Sequence, residues 1–290
     1  MTSTHANLAA RLAARPIVIA PGVYDALTAM IATDSGAEAL YLSGAAIAYT
    51  RLGRPDIGLV SMSEVAEVIA LVADRVATPL IVDADTGYGN ALNVERTVRL
   101  FEQAGASAIQ LEDQSFPKRC GHLAEKRLIP AEEMAAKIRA AVDARRSADT
   151  LIIARTDAIA VEGFDAAIAR ARLYAEAGAG MLFVEAPGSG DELTRVPREL
   201  GRVAPLMANM IEGGVTPFKT AAELEALGFA LVIFPGAVVR MIARAAAELY
   251  GAVVGQGTSA PVADRMYDFA GLNRVLGTAE MLARGKRYGG

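Results

Sequence analysis

The segment FPKRCGHL, residues 116–123, joins the only cysteine of the chain, Cys120, to one of its two histidines, His122. Two cations, Lys118 and Arg119, stand directly before the cysteine. Cationic neighbours lower the pKa of a thiol, and an adjacent imidazole can exchange protons with it. An inert cysteine would be expected in an apolar run rather than among charges. The segment therefore predicts a functional thiol that works in acid–base chemistry, with a packing role as the alternative.

Carboxylates form a second group of chemically active residues, at the ends of apolar runs. Asp83 and Asp85 end PLIVDAD, Glu112 follows AIQL, and Glu185 follows MLFV. If the segment is extended, Asp83 and Asp85 point to the same face. Crowded carboxylates repel each other unless a cation lies among them, and oxygen ligands without clustered histidines favour Mg²⁺ or Mn²⁺. Ion pairing with Arg155, or helix capping, is the alternative.

The apolar runs that precede these residues predict the fold. They are almost continuously apolar, which is typical of parallel strands covered on both faces. The eight runs are PIVIAP from Pro16, ALYLSG from Ala39, PLIVDAD from Pro79, AIQLED from Ala108, LIIART from Leu151, MLFVEA from Met181, PLMANM from Pro205 and ALVIFPG from Ala230. Amphipathic helices are predicted between them at Glu64–Val76, Val94–Ala104, Glu132–Ala144, Asp165–Ala177 and Ala221–Leu227.

Eight such units predict an α/β fold of the (β/α)₈ TIM-barrel type. Gly36, Gly105, Gly178 and Gly228 each stand where a helix would end shortly before a strand. A doubly wound sheet is the alternative, but GYGNAL from Gly87 lacks the last glycine of its fingerprint. We expect one barrel domain over residues 1–290, with residues 251–290 as a helical tail on the barrel or on a neighbouring subunit.

Composition limits the partners of this chain. Hydrophobic residues make up 53% and charged residues 21%, and the net charge is −4. This balance is typical of a globular protein and argues against nucleic acid as a partner. The longest apolar run, residues 228–239, is too short for a membrane span and is interrupted by Pro235. With one cysteine and no export signal, we expect a cytoplasmic protein without membrane or nucleic-acid partners.

The carboxyl ends of barrel strands are where active sites form. The loops after the last two runs, NMIEGGVTP from Asn209 and FPGAVVR ending at Arg240, are rich in glycine and suit the binding of an anion by backbone N–H groups. Arg155 and Arg240 are each able to clamp a carboxylate. A phosphate, a phosphonate or a second carboxylate fits this pattern equally well.

Seven motifs together resemble one known superfamily. YLSGAAIA, PDIGL, DADTGYGN, LEDQSFPKRCGH, IIARTDA, FVEAP and ANMIEGG occur in the order found in the isocitrate lyase and phosphoenolpyruvate mutase superfamily, over roughly residues 15–250. KRCGH resembles the signature of the carbon–carbon lyase branch, and the mutases and phosphonopyruvate hydrolases of the family carry no such cysteine motif. The chain length resembles that of the short methylisocitrate and dimethylmalate lyases.

The resemblance implies a metal site and a site for an α-keto acid. Asp83 and Asp85 would hold Mg²⁺ together with Glu112, directly or through water, with Asp56 nearby. Ser43, Gly44 and Ala45 would bind the carboxylate of the keto acid. Ala45 departs from the glycine that methylisocitrate lyases tend to carry, although its backbone donor is retained.

The resemblance also implies roles for the remaining residues. Cys120 would protonate the departing carbanion, supported by His122 and Glu185. The substrate carboxylates would be gripped by Arg155, Asn209 and Arg240, with Gly121 beside the thiol. Family members form homotetramers in which a C-terminal helix is exchanged between subunits.

We therefore expect an Mg²⁺-dependent retro-aldol cleavage of a 2-hydroxy dicarboxylic acid, 2,3-dimethylmalate or a related alkylmalate, to pyruvate or another α-keto acid plus a carboxylic acid. Tyr41 as a phenolate, or a metal-linked hydroxide, would be the base. Within the superfamily the alternatives are 2-methylisocitrate cleavage, oxaloacetate hydrolysis and phosphonomutase chemistry. A non-catalytic barrel that binds a di- or tricarboxylate, and a nucleotide-dependent enzyme, are alternatives from other classes.

Overall fold

Eight parallel strands close into a barrel in the order of the chain, and the last strand pairs with the first. The computed structural model describes residues 4–121 and 125–289. The strands are β1 (Val18–Val23), β2 (Leu40–Leu42), β3 (Leu80–Asp83), β4 (Ala108–Glu112), β5 (Leu151–Thr156), β6 (Met181–Val184), β7 (Leu206–Asn209) and β8 (Leu231–Phe234). Each strand lies within, or overlaps, one of the eight predicted runs, so the predicted (β/α)₈ fold is confirmed.

Helices follow the strands around the outside of the barrel. They are α1 (Thr4–Ala13), α2 (Ala26–Asp34), α3 (Gly44–Ile47), α4 (Met62–Arg75), α5 (Ala91–Ala104), α6 (Ala131–Ala144), α7 (Ile159–Glu162), α8 (Phe164–Glu176), α9 (Gly190–Leu200) and α10 (Ala221–Leu227). A π-helical turn, Ala48–Leu52, continues α3. All five predicted helices are present, with ends that differ by at most three residues.

Helix α9 was missed because its sequence, GDELTRVPREL, is polar and contains a proline. The structure shows why it still forms. Ser189 caps it by accepting a hydrogen bond from the backbone N–H of Glu192 at 3.1 Å, and Leu193, Val196 and Leu200 are buried on one face.

Two hydrophobic layers form the core of the barrel. One layer lies between strands and helices, and the other fills the barrel interior. Leu8 and Leu12 of α1 pack into the interior layer beside Val18 and Ala39, at the start of β1 and just before β2. Helix α1 therefore covers the amino-terminal end, and polar groups collect at the carboxyl ends, as in other TIM barrels.

Glycines end several helices as predicted. Gly105 follows α5 with φ of +117°, and its N–H bonds to the carbonyls of Phe101 and Glu102. Gly36, Gly178 and Gly228 also have positive φ, the left-handed backbone that glycine adopts without strain. These caps turn the chain into the following strand within three or four residues.

The chain forms two compact units, Met1–Ala237 and Val238–Gly290. The second unit holds most of α11 (Ala237–Gln256), a 3₁₀ turn (Ala260–Arg265), α12 (Phe269–Leu276) and α13 (Thr278–Arg287). The predicted organisation, one domain with a tail from residue 251, stays a prediction. Over the described part of the chain, no helix is both long and apolar enough to cross a membrane.

Candidate active site

A small cavity lies at the carboxyl ends of the strands, where the sequence predicts the site. Its lining includes Lys118, Ile211, Ile233 and Pro235. It also includes ten of the predicted site residues, namely Tyr41, Ser43, Ala45, Asp56, Asp83, Cys120, Gly121, Arg155, Glu185 and Asn209. Its volume is ≈ 50 Å³, whereas small-molecule pockets usually exceed about 300 Å³. The cavity is therefore closed around a space much smaller than a six-carbon diacid.

Asp83 and Asp85 converge, but not in the way the sequence suggested. Strand β3 ends at Asp83, and Asp85 has φ of +47°, so the prediction of one extended segment is wrong. The backbone N–H of Asp85 instead donates to Asp83 Oδ1 at 3.1 Å. A Cβ on Gly44 would lie 3.4 Å from Asp83 Oδ2 and 3.6 Å from Asp85 Oδ1. The left-handed turn thus brings both carboxylates against the start of α3, and such strain is typical of functional sites.

Gln110, which sequence reasoning missed, connects Tyr41 to this carboxylate pair. The Tyr41 hydroxyl donates to Gln110 Oε1 at 3.0 Å, and Gln110 Nε2 donates to Asp83 Oδ1 at 3.3 Å. Burial and the nearby Asp83 carboxylate raise the pKa of Tyr41 well above its usual value. The structure therefore disfavours the predicted phenolate base and places Tyr41 as a hydrogen-bond donor. A polar residue inside the apolar run AIQLE was the available signal for Gln110.

Lys118 reaches two carboxylates of the cluster. Its Nζ lies 2.5 Å from Asp56 Oδ1 and 2.6 Å from Asp85 Oδ1, with only 3% of its side chain exposed. The charge of Lys118 is thus shared with two carboxylates, and its predicted effect on the thiol stays a prediction. Even so, burial and neighbouring carboxylates raise the pKa of Asp85 to about 6, against the opposing effect of Lys118. The cluster carries more negative charge than this one ammonium offsets.

Arg155 lies at the opposite side of the cluster and is held by Asp157. Its Nε and Nη2 donate to Asp157 Oδ2 and Oδ1 at 2.8 and 3.1 Å. Nε also lies 3.4 Å from Glu112 Oε2, and Nη2 lies 3.5 Å from Glu185 Oε2. Asn209 Nδ2 donates to both oxygens of Glu185. Asp157 therefore fixes the orientation of a guanidinium that serves two further carboxylates.

The segment that carries Cys120, here called the lid (residues 118–121), is closed over the cavity. The Cys120 N–H donates to the Asp56 carbonyl at 3.2 Å. A Cβ on Gly121 would meet Arg155 Nη2 at 2.3 Å, so the lid backbone lies directly on the guanidinium. Only glycine permits this approach. The thiol is thereby held at the wall of the cavity.

Ser43, Gly44 and Ala45 form the start of α3. The Ser43 hydroxyl accepts a hydrogen bond from the backbone N–H of Ala46 at 3.2 Å and so caps the helix. The first N–H groups of a helix have no partner within it and suit a carboxylate. Ala45 and Ser43 line the cavity, so these donors lie beside the space a substrate would take.

Two of the predicted site residues, His122 and Arg240, do not belong to the described part of the first unit. His122 lies outside the described residues. Arg240 belongs to α11 in the second unit, so its predicted contact with the substrate stays a prediction.

The carboxylate oxygens of the site suit a metal ion that keeps part of its water shell better than one held by protein ligands alone. Among residues 4–121 and 125–289, no group of three or more His, Cys, Asp or Glu side chains is arranged to hold a metal by itself. Asp56, Asp83, Asp85 and Glu112 nevertheless offer buried oxygens, and Glu112 Oε1 has no hydrogen-bond partner. Burial raises the pKa of Glu112 well above its usual value. Magnesium, which keeps several of its waters, suits such a site.

Known proteins are similar to this chain in sequence and in fold. The model of the phosphoenolpyruvate phosphomutase family matches residues 8–254. The chain belongs to this family. It is 41% identical to the 2,3-dimethylmalate lyase of Eubacterium barkeri, covering 95% of this chain and 94% of that protein. It is 49% identical to the 2-methylisocitrate lyase of Aeropyrum pernix, covering 87% of this chain and 80% of that protein.

Solved structures of the PEP mutase/isocitrate lyase superfamily share the fold. A 2,3-dimethylmalate lyase structure aligns with a TM-score of 0.94 and 35% identity, over 100% of this chain and 97% of that one. A phosphonopyruvate hydrolase structure with oxalate and Mg²⁺ aligns with a TM-score of 0.87 and 31% identity, over 99% of each chain. The predicted superfamily, and the enzyme class of carbon–carbon lyase, are confirmed.

The closed lid predicts the effect of Gly121→Ala. The added methyl group cannot occupy a point 2.3 Å from Arg155 Nη2 and 2.8 Å from Glu185 Cγ, so the lid is expected to stand open. Iodoacetamide should then alkylate Cys120 at least tenfold faster than in the wild type, as measured by intact-protein mass. Gly190→Ala, where a Cβ meets nothing within 4 Å, is the control. Equal alkylation rates in all three proteins would contradict the closed geometry.

Proposed function

We propose that this protein is an Mg²⁺-dependent lyase that cleaves 2,3-dimethylmalate or a closely related alkylmalate by retro-aldol chemistry, giving pyruvate or another α-keto acid and a carboxylic acid. The observation that carries this proposal is the position of Cys120. The lid presents the thiol to a cavity with carboxylates and Arg155 at one end and Ile211 and Ile233 on its wall. A proton donor, a charged anchor and an apolar wall are what such a cleavage requires.

Asp83 and Asp85 would hold the metal together with Glu112, with Asp56 nearby and water filling the remaining positions. Bound there, Mg²⁺ would lower the pKa of the substrate hydroxyl and neutralise the charge of its carboxylate. The Mg²⁺ seen in the phosphonopyruvate hydrolase structure supports magnesium as the ion. Mn²⁺ has similar ligand preferences.

Residues of the chain would bind the two carboxylates of the substrate. The N–H groups of Gly44 and Ala45, with the Ser43 hydroxyl, would bind the carboxylate that becomes part of the keto acid. Arg155 and Asn209 would hold the other carboxylate, helped by Arg240. A carboxylate of the cluster would accept the hydroxyl proton, the electron pair of the O–H bond would form the new carbonyl, and the electrons of the C2–C3 bond would move onto the departing carbon.

The departing carbon is a carbanion delocalised into its carboxylate, next to the Arg155 guanidinium. Cys120 would protonate it from the lid, with His122 and Glu185 supporting the thiol. Closure excludes water, so the carbanion meets this one donor. The thiolate recovers its proton when the lid opens to release products. The products from 2,3-dimethylmalate would be pyruvate and propionate.

The wall of the cavity supports an alkylated diacid. Ile211, Ile233 and Pro235 offer apolar contacts to methyl groups. The cations among the cavity residues in the described part of the first unit, Lys118 and Arg155, are each paired with two or more carboxylates. A tricarboxylate would need a further cation. This favours 2,3-dimethylmalate, in agreement with the Eubacterium barkeri relative.

2-Methylisocitrate is the second candidate substrate, since the Aeropyrum pernix relative shares 49% identity. Its cleavage by the same steps gives pyruvate and succinate, and Arg240 would then supply the extra cation. Oxaloacetate hydrolysis is a further alternative. Phosphonomutase chemistry is less favoured, because a cysteine at the cavity wall has no evident task in cleavage of a phosphorus–carbon bond.

A panel of substrates tests this proposal. Pyruvate release is measured from 2,3-dimethylmalate and 2-methylisocitrate, glyoxylate from isocitrate and oxalate from oxaloacetate, each with Mg²⁺ and with EDTA. We expect Mg²⁺-dependent release from 2,3-dimethylmalate at the highest kcat/KM. Cys120→Ser should lower kcat by at least 100-fold while Mg²⁺ binding, followed by calorimetry, is unchanged. Metal-independent turnover, or a fully active Cys120→Ser enzyme, would refute the mechanism.

Homotetramer formation and a cytoplasmic location belong to the same proposal. The first unit has an open groove of ≈ 600 Å³ lined by Pro16, Ile19 and Ala221. Val254 and Phe269, in the second unit, are 86% and 88% exposed. Exposed apolar surface of this kind is typical of association. A helix from a second copy would cover the groove.

Ile19→Glu tests this association. A carboxylate in the groove would be buried without a partner, so the mass measured by light scattering should fall below that of the wild-type tetramer. Leu71→Glu on α4, an equally apolar residue with 55% exposure outside the groove, is the control and should leave the mass unchanged. A wild-type monomer at micromolar concentration would contradict the proposal.

A further inference from the structure

Three consecutive residues of the lid are each held by a group from outside it. The Gln114 side chain donates to the Arg119 carbonyl at 2.8 Å and accepts from the Arg119 N–H at 2.9 Å. The Asp56 carbonyl accepts from the Cys120 N–H. The third contact comes from Lys126, whose Nζ donates to the Gly121 carbonyl at 2.5 Å. The backbone on both sides of the thiol is thus fixed.

Lys126, like Lys118, carries a buried charge. Only 2% of its side chain is exposed, and Nζ also donates to Asp157 Oδ1 at 2.9 Å. Asp157 is itself fully buried, and its backbone N–H donates to Asp113 Oδ1 at 2.9 Å. A buried ammonium is retained only when it is paired and hydrogen-bonded. The carboxylate and the lid carbonyl together provide that pairing.

The same carboxylate orients Arg155. Asp157 Oδ1 accepts from Lys126 Nζ and from Arg155 Nη2, and Asp157 Oδ2 accepts from Arg155 Nε. Gly121, whose carbonyl Lys126 holds, lies directly on Arg155. Opening the lid would remove the carbonyl from Lys126 and leave a buried ammonium with one fewer acceptor. The position of the lid and the orientation of the guanidinium are therefore coupled through this lysine.

We propose that Lys126 is a positioning residue that holds the lid closed and couples its closure to Arg155. It touches neither the substrate nor the reacting atoms, and it acts by fixing the Gly121 carbonyl next to Cys120. The effect of Lys126 on turnover rests on the function proposed above, but its effect on the lid does not.

The single cysteine of the chain makes lid closure measurable without any substrate. Cys120 is the only residue that iodoacetamide can alkylate as a thiol, so intact-protein mass reports its accessibility directly. Lys126→Met keeps a side chain of similar length and removes the charge. Its Cys120 should be alkylated at least tenfold faster than that of the wild type. Lys126→Arg should fall between the two, because a guanidinium restores the charge but places its donors differently.

Lys219→Met is the matched control. Lys219 also pairs with a carboxylate, Glu223, at 2.9 Å, but this pair is exposed to water on one helix. Its alkylation rate should equal that of the wild type. A rate for Lys126→Met within twofold of the wild type would overturn the proposal. If Lys126→Met does not fold, as judged by circular dichroism, an unchanged rate in Lys126→Arg would overturn it instead.

Steady-state kinetics separate this proposal from the proposed function. On the substrate that the wild type cleaves, Lys126→Met should lower kcat by at least tenfold and change KM by less than threefold. Proton delivery depends on the closed lid, whereas the metal and α3 retain the substrate. A wild type that cleaves nothing, together with fast alkylation of Lys126→Met, refutes the proposed function and supports the lid proposal. An active wild type with unchanged kcat in Lys126→Met refutes the lid proposal.

Discussion

Buried negative charge at one end of the barrel is the constraint on which the site depends. Asp56, Asp83, Asp85 and Glu112 are each at most 8% exposed, and isolated carboxylates are not retained in such surroundings. In the structure, Lys118 offsets two of them and Arg155 approaches a third. Removing one partner from a buried ion pair typically costs about 3–5 kcal/mol. The cluster therefore requires cations, and where they come from determines how the site works.

One of those cations is carried by the lid. Because Lys118 is two residues before Cys120, pairing with Asp56 and Asp85 brings the thiol to the cavity wall. The contacts that neutralise the charge of Asp56 and Asp85 therefore also place the thiol at the cavity. The cavity of ≈ 50 Å³ that results has no room for a diacid, so the lid must move outward for substrate to enter. Lids that exclude water in this way are common in enzymes that form reactive carbanions.

The general plan of the molecule could be predicted from sequence because it depends on local patterns. Continuous apolar runs identify parallel strands, glycines identify the ends of helices, and the barrel rule then brings distant residues such as Tyr41 and Asn209 to one mouth. The carboxylates were found because they end strands. The raised pKa values of Asp85 and Glu112 follow from burial that the sequence pattern already indicated.

Other features depend on contacts that no local pattern encodes. Asp85 has a left-handed backbone, so the rule that alternate residues of a strand point to the same face does not apply to it. Pairing of Lys118 with Asp56 joins residues 62 positions apart. The position of Lys126 follows from the buried carboxylate of Asp157, which lies just after β5. In the sequence both lysines look like solvated charges, since burial of a charge becomes evident only when its partners are placed.

Cleavage of 2,3-dimethylmalate in D₂O tests the central claim most directly, namely that a donor on the closed lid protonates the departing carbanion. The account predicts propionate with one solvent deuterium at C2, in a single configuration, as analysed by mass spectrometry and chiral derivatisation. One configuration is expected because Cys120 reaches the carbanion from one side only. Propionate labelled equally in both configurations would mean that water protonates a released carbanion, and it would contradict the account.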